Sequence, residues 1–114
     1  EAHYCGIKSG RDEKKFDVLG LTPVRSEKVA APYVKEFPVN LICGLIRSVD
    51  IGSHTLFVGE ILDVLADECV IDDRGQPVIE KIRPVMYDYG GTSYRAVGDE
   101  VLDARKFDPK KFGR

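Results

Sequence analysis

At 114 residues the chain has room for one hydrophobic core and no more. Its 17 basic and 19 acidic side chains leave a net charge of −2, so it lacks the broad positive field that draws in nucleic-acid phosphates. Hydrophobic residues make up 43% and fall in strand-length runs, which argues against disorder, and no run reaches the roughly 18–20 apolar residues that span a bilayer. A soluble, cytoplasmic protein with neither nucleic-acid nor membrane partners is expected, and no secretory signal precedes the first charged segment.

Cys5, Cys43 and Cys69 are an odd number with no Cys-x-x-Cys, and His3 and His54 lie far apart, so no metal-ligand pattern is present. Three reduced thiols are the expected state.

In chain order, Glu1 to Phe16 is polar and helix-compatible. Ser9-Gly10-Arg11-Asp12 breaks it into two short helical turns. Gly20-Leu21-Thr22-Pro23 and Ala30-Ala31-Pro32 read as turn or extended punctuation, because each proline pushes its predecessor out of the helical region. This part is expected to be connecting structure draped over a sheet.

The character changes after Pro38. Val39–Ile51 and His54–Ala66 are apolar, β-compatible runs separated by Gly52-Ser53, which predicts two long antiparallel strands joined by a short turn. Strict alternation places Leu56, Val58, Glu60, Leu62 and Val64 on one face of the second strand. The other face receives Thr55, Phe57, Gly59, Ile61, Asp63 and Leu65. Both faces are largely apolar at the start of the strand, as expected for the wall of a barrel with something packed outside it.

Cys69-Val70-Ile71 is expected to be a short strand leading into a polar loop that turns at Gly75. Ile79–Arg83 fits a helical turn or a short strand. Val85-Met86-Tyr87 and Ser93–Val97 read as two short strands around Gly90-Gly91, and a last helical turn is expected over Val101–Phe107.

Several residues are candidates for chemistry. His54, just after a Gly-Ser turn at a strand mouth, either caps the strand or donates a hydrogen bond or proton to a ligand. Glu60, on an apolar face, either pairs with Arg47 on the neighbouring strand or acts as a catalytic carboxylate. Tyr87, Tyr89 and Tyr94 are either core or interface residues or a stacking wall. Ser9-Gly10-Arg11 has an anion-holding composition but lacks the pattern of a phosphate loop.

Tyr4-Cys5-Gly6, Ser9-Gly10-Arg11, Lys15-Phe16, Gly20-Leu21-Thr22-Pro23 and Ala31-Pro32-Tyr33 occur in that order. Gly52-Ser53-His54-Thr55-Leu56-Phe57-Val58-Gly59-Glu60-Ile61, Lys81-Ile82-Arg83-Pro84 and Tyr94 follow. Together they resemble the flavin reductase-like, FMN-binding split-barrel proteins, nearest to the flavoredoxin and archaeal ferric/flavin reductase branch. The resemblance implies a mostly β, antiparallel Greek-key split barrel with short peripheral helices. It also implies that residues 1–114 are the C-terminal part of a single such domain, without the first barrel strands and most FMN contacts.

The intact protein would be a cytoplasmic homodimer that binds FMN and passes reducing equivalents from NADH or NADPH, through flavin, to free flavin, a ferric complex or a partner redox protein. This part alone is expected to be inactive. His54 matches the family histidine implicated in nicotinamide or flavin contact, with Thr55 beside it as a hydroxyl donor. Ser9, Gly10, Lys15 and Phe16 match a flavin- or substrate-side helix and loop. A flavoredoxin-type electron carrier that reacts poorly with nicotinamide and a non-catalytic barrel module are the alternatives.

Overall fold

A computed structural model describes residues 1–101 and 104. The helical turn expected over Val101–Phe107 falls largely outside them. Two short helices open the chain, α1 (Ala2–Ile7) and α2 (Lys15–Leu19), and the break between them lies where Gly10 was expected to place it. Lys15 Nζ donates to the Cys5 carbonyl at 2.7 Å and ties the end of α1 to the start of α2. Gly20 ends α2 in the left-handed conformation (φ 65°), which glycine adopts without a Cβ penalty.

The segment expected to be connecting structure forms a hairpin of its own, β1 (Pro23–Arg25) with β2 (Pro32–Val34). Two side chains brace it. Glu36 Oε2 accepts the Thr22 N–H at 2.9 Å, and Asn40 bonds the backbone of Val34 and Phe37. These local side-chain bonds supply what a three-residue strand pair lacks, and apolar periodicity does not report them.

The long ribbon is β3 (Val39–Asp50) paired antiparallel with β4 (Thr55–Ala66), within one residue of the expected limits. Its register slips twice. Ile42 pairs with Asp63 but Cys43 with Ile61, leaving Leu62 extra on β4; Leu45 pairs with Gly59 but Arg47 with Val58, leaving Ile46 extra on β3. One bulge on each strand restores the count, so twelve residues still face twelve.

The bulges change which side chains share a face. Paired residues lie on the same side of the ribbon, and neighbours along a strand alternate. One face therefore carries Leu41 and Val64, Cys43 and Ile61, Leu45 and Gly59, then Ser48 and Phe57. The other carries Ile42 and Asp63, Gly44 and Glu60, Arg47 and Val58, then Val49 and Leu56. Strict alternation thus fails at Leu62: Val64 joins Phe57 and Ile61, while Asp63 and Leu65 join Val58 and Glu60. Two glycines mark close approaches consistent with this assignment. A Cβ on Gly59 would lie 3.2 Å from Cys43 Cβ, and one on Gly44 would lie 3.2 Å from Leu62 Cδ1.

The β1–β2 hairpin packs at the base of the second face. Ile42 is buried there, Ser26 is buried nearby, and Lys28 Nζ lies 3.9 Å from Asp63 Oδ2. A cleft of about 380 Å³ between hairpin and ribbon is lined by Val24, Ser26, Lys28, Tyr33, Ile42 and Asp63, among others. The first face has no such cover: Leu41 is 56% exposed, Leu45 65%, Ile61 57% and Phe57 67%.

Cys69-Val70-Ile71 is not the expected strand. Glu68–Val70 is a 3₁₀ turn, and β pairing is limited to a single Ile71–Pro77 bridge. The Asp72 carboxylate takes the Arg74 and Gln76 N–H groups at 2.9 and 2.8 Å, closing a compact loop in place of a ladder. The helical option holds for α3 (Ile79–Ile82). The last pair is β5 (Val85–Asp88) with β6 (Ser93–Ala96).

Among the described residues the strands make three separate antiparallel pairs, and these do not close on one another. Among the described residues no helix is long and apolar enough to cross a membrane.

Candidate functional site at the ribbon tip and the first helices

Asp50 and Thr55 are the last paired residues of the ribbon, and the Ile51 N–H donates to the His54 carbonyl at 2.9 Å. That leaves a two-residue loop, Gly52-Ser53. Gly52 has φ 86°, a backbone that glycine adopts without a Cβ penalty, and Ser53 does not share it. Asp50 Oδ1 accepts the Gly52 N–H at 2.8 Å and closes the turn from the other side.

The His54 imidazole stands at the end of this turn. Its Nδ1 lies 2.8 Å from Ser53 Oγ, and its Nε2 has no partner among the described residues. The ring is exposed and lines none of the five cavities described. Its neighbour Thr55 is the first residue of β4 and pairs with Asp50.

Gly10, Lys15 and Phe16 come together elsewhere. With Glu13, Lys14, Asp17 and Pro23 they line a shallow cavity of about 520 Å³ beside α2. Phe16 and Pro23 supply apolar surface and Lys14 a cation, while the Lys15 ammonium is engaged with the Cys5 carbonyl. Ser9 stands outside that lining, where its Oγ accepts the Arg11 N–H at 3.2 Å. No described cavity holds both this group and His54.

Glu60 and Arg47 do share a face, as diagonal neighbours, but Glu60 is exposed and no ion pair joins the two. The buried carboxylate expected at this position is thus absent, because the apolar face around it is open to solvent.

The tyrosines do cluster. The Tyr87 and Tyr94 rings are 5.2 Å apart, Tyr89 meets Tyr87 edge-on, and His3 of α1 meets Tyr94 edge-on at 5.8 Å. This contact, which links the first helix to the last hairpin, could not be read from the sequence: ninety residues lie between His3 and Tyr94, and no local pattern pairs them.

A mostly β chain of antiparallel ribbons with short peripheral helices belongs to the split-barrel class, and the comparisons with known proteins agree. The chain belongs to the flavin reductase-like family: the model of the flavin reductase like domain matches residues 1–95. Among solved structures, the flavoredoxin of Desulfovibrio vulgaris (Miyazaki F) superposes over 92% of the chain with a TM-score of 0.83 at 46% identity. The flavoredoxin from Methanosarcina acetivorans does so over 91% with 0.80 at 31%. An uncharacterized protein of Archaeoglobus fulgidus is 46% identical over 70 residues, 61% of this chain and 40% of that protein. The chain covers 56% and 54% of the two flavoredoxins, little more than half their length.

Proposed function

We propose that residues 1–114 form the C-terminal part of one flavin reductase-like domain, and that the whole domain is a cytoplasmic, homodimeric, FMN-dependent oxidoreductase reduced by NADH or NADPH. The observation that carries this reading is the superposition on the Desulfovibrio flavoredoxin, at 46% identity over nearly the whole chain. The bare ribbon face supports the first part of it. An isolated two-stranded ribbon is marginal in water, and both outer edges of this one are unpaired. Further strands of the domain, together with a second copy, would cover it.

The residues present fit part of what a flavin needs. Phe16 and Pro23 offer a flat apolar wall, and Lys14 offers a cation at the same cavity. Lys15 could join it only by releasing the Cys5 carbonyl, which would loosen α1 from α2. His54 presents a free Nε2 from a braced turn, suited to donating a hydrogen bond where negative charge gathers. Bound flavin would supply the capacity to take a hydride and release electrons; the protein supplies position and polarity. Free flavin, a ferric complex or a redox protein would take those electrons.

A second reading is favoured by the same superposition, since both structures cited are flavoredoxins: an electron carrier that holds FMN but reacts poorly with nicotinamide. One experiment separates the two. The full-length protein should purify yellow, and anaerobic NADH or NADPH should bleach its flavin absorption within the mixing time of a cuvette. A yellow protein that neither nucleotide bleaches is the carrier; a colourless protein that does not take up added FMN ends both readings.

A further inference from the structure

We propose that Ser53 is a positioning residue for His54, donating its hydroxyl hydrogen bond to Nδ1 so that the ring offers Nε2–H from the ribbon tip. The contact is 2.8 Å, within the range of a good hydrogen bond. The contact by itself fits either tautomer, and the serine as donor is the arrangement inferred. If Nδ1 carried the proton, Ser53 would accept and its own hydrogen would be left to solvent. A hydroxyl donating to the ring nitrogen pairs a good donor with the better acceptor and leaves the second ring nitrogen as N–H.

The geometry is built into the turn. A two-residue loop with a left-handed first position allows little freedom at its second, so the Ser53 backbone is held by the Ile51–His54 and Asp50–Gly52 bonds. Only one short side-chain rotation is then left to bring the hydroxyl to the ring. A histidine's reactive nitrogen is commonly set by what the other nitrogen bonds, and here the hydrogen-bonding serine is the preceding residue. The orientation of the ring stands on these contacts alone. Its consequence for redox chemistry rests on the proposed role of His54.

The test uses the full-length protein with its histidine rings labelled with nitrogen-15. At about pH 8.5, where a histidine ring is ordinarily neutral, long-range proton–nitrogen spectra should show His54 as the Nε2–H tautomer. Ser53→Ala should lower the ratio of Nε2–H to Nδ1–H about five-fold, the worth of one ordinary net hydrogen bond. Ser53→Thr, which keeps a hydroxyl, should restore it. Unchanged ring spectra in Ser53→Ala overturn the proposal, as does a wild-type ring in the Nδ1–H form. Nicotinamide-driven flavin reduction is measured alongside. If the tautomer shifts and kcat falls by a similar factor at constant KM, both inferences stand. If the tautomer shifts and the rate holds, Ser53 still positions the ring, and the flavin-side role of His54 is what fails.

Discussion

Asn40 grips Val34 by both of its backbone polar groups: Oδ1 accepts the Val34 N–H at 3.2 Å, and Nδ2 donates to the Val34 carbonyl at 3.1 Å. A third bond, from Nδ2 to the Phe37 carbonyl at 3.0 Å, closes the turn between β2 and β3. One amide thereby does the work of a missing ladder residue and fixes the small hairpin to the base of the ribbon. Asn40→Ala should destabilise the folded protein by about 1–3 kcal/mol, since it strands partly buried backbone groups. Asn40→Asp keeps one acceptor but sets a carboxylate against two carbonyls, and should do no better. Chemical denaturation gives the cost, and faster hydrogen exchange at the Val34 amide would localise it; unaltered exchange there would show that other contacts hold the hairpin.

The β5–β6 hairpin should respond to acid. Arg95 Nε lies 2.7 Å from Asp88 Oδ2, and the Gly91 N–H donates to Oδ1 at 3.1 Å. The Arg95 bond first, then the Gly91 amide, hold the Asp88 carboxyl below its ordinary value of 3.8. A depressed carboxyl pKa stabilises the folded form above the unfolded value, and that contribution disappears as pH falls through the folded one. The Gly91 and Arg95 resonances should therefore move together below about pH 4, and Asp88→Asn should abolish that titration. Gly91 is needed for a separate reason: a Cβ there would sit 2.8 Å from Asp88 Oδ2.

Gly52 and Gly59 should fail differently on substitution. Gly52 has φ 86° with nothing within 4 Å of a would-be Cβ, so Gly52→Ala incurs conformational strain alone, about 1–2 kcal/mol. Gly59 lies in β4 opposite the bulge at Ile46, without a positive φ, and a Cβ there would meet Cys43 Cβ at 3.2 Å and the Gly44 carbonyl at 3.3 Å. Gly52→Asn should recover much of the loss at the turn, because asparagine tolerates left-handed backbone. Gly59→Asn should recover nothing. Thermal unfolding of these three variants and of Gly59→Ala distinguishes strain from crowding.

The ribbon could be read from the sequence because two strand-length apolar runs flank a Gly-Ser pair, a signal carried by neighbouring residues. The bulges could not. Leu62 and Ile46 look like ordinary alternating positions, and only pairing across the ribbon shows that each is extra. The β1–β2 hairpin was hidden because side chains of Glu36 and Asn40 hold it, not apolar periodicity. At the candidate site, His54 was visible as a histidine after a turn, and Ser53 was visible only as part of that turn. Thr55 enters only through the family resemblance: no local pattern marks it, and it pairs with Asp50 at the tip of the ribbon.

Replacing His54 tests the proposed chemistry directly. His54→Ala in the full-length protein should slow nicotinamide-driven flavin reduction by about ten- to a hundredfold, the range for losing a hydrogen bond to a charged group. His54→Gln, which retains an N–H donor, should recover part of the rate. The ring is exposed at a turn, so neither change should alter thermal stability appreciably. A stopped-flow rate equal to wild type in His54→Ala would remove the residue from the mechanism and leave the flavin assignment intact.

The bare stripe of Leu41, Val64, Ile61, Leu45 and Phe57 bears on assembly. These side chains form one uncharged band along a single face, and nothing among the described residues packs on it. Exposed apolar bands of this kind mark surfaces that bind other protein. The chain of residues 1–114 should therefore associate as its concentration rises. A single Phe57→Glu or Ile61→Glu change should weaken that association by more than about tenfold, because the carboxylate would be buried without a partner. Val49→Glu, on the opposite face beside Leu56 and close to Arg47, is the control and should have a smaller effect. Sedimentation velocity over a hundredfold range of concentration reads the result. Equal association in Phe57→Glu and wild type would mean that the band is not the contact, and the open edges of β3 and β4 would become the surface to block next.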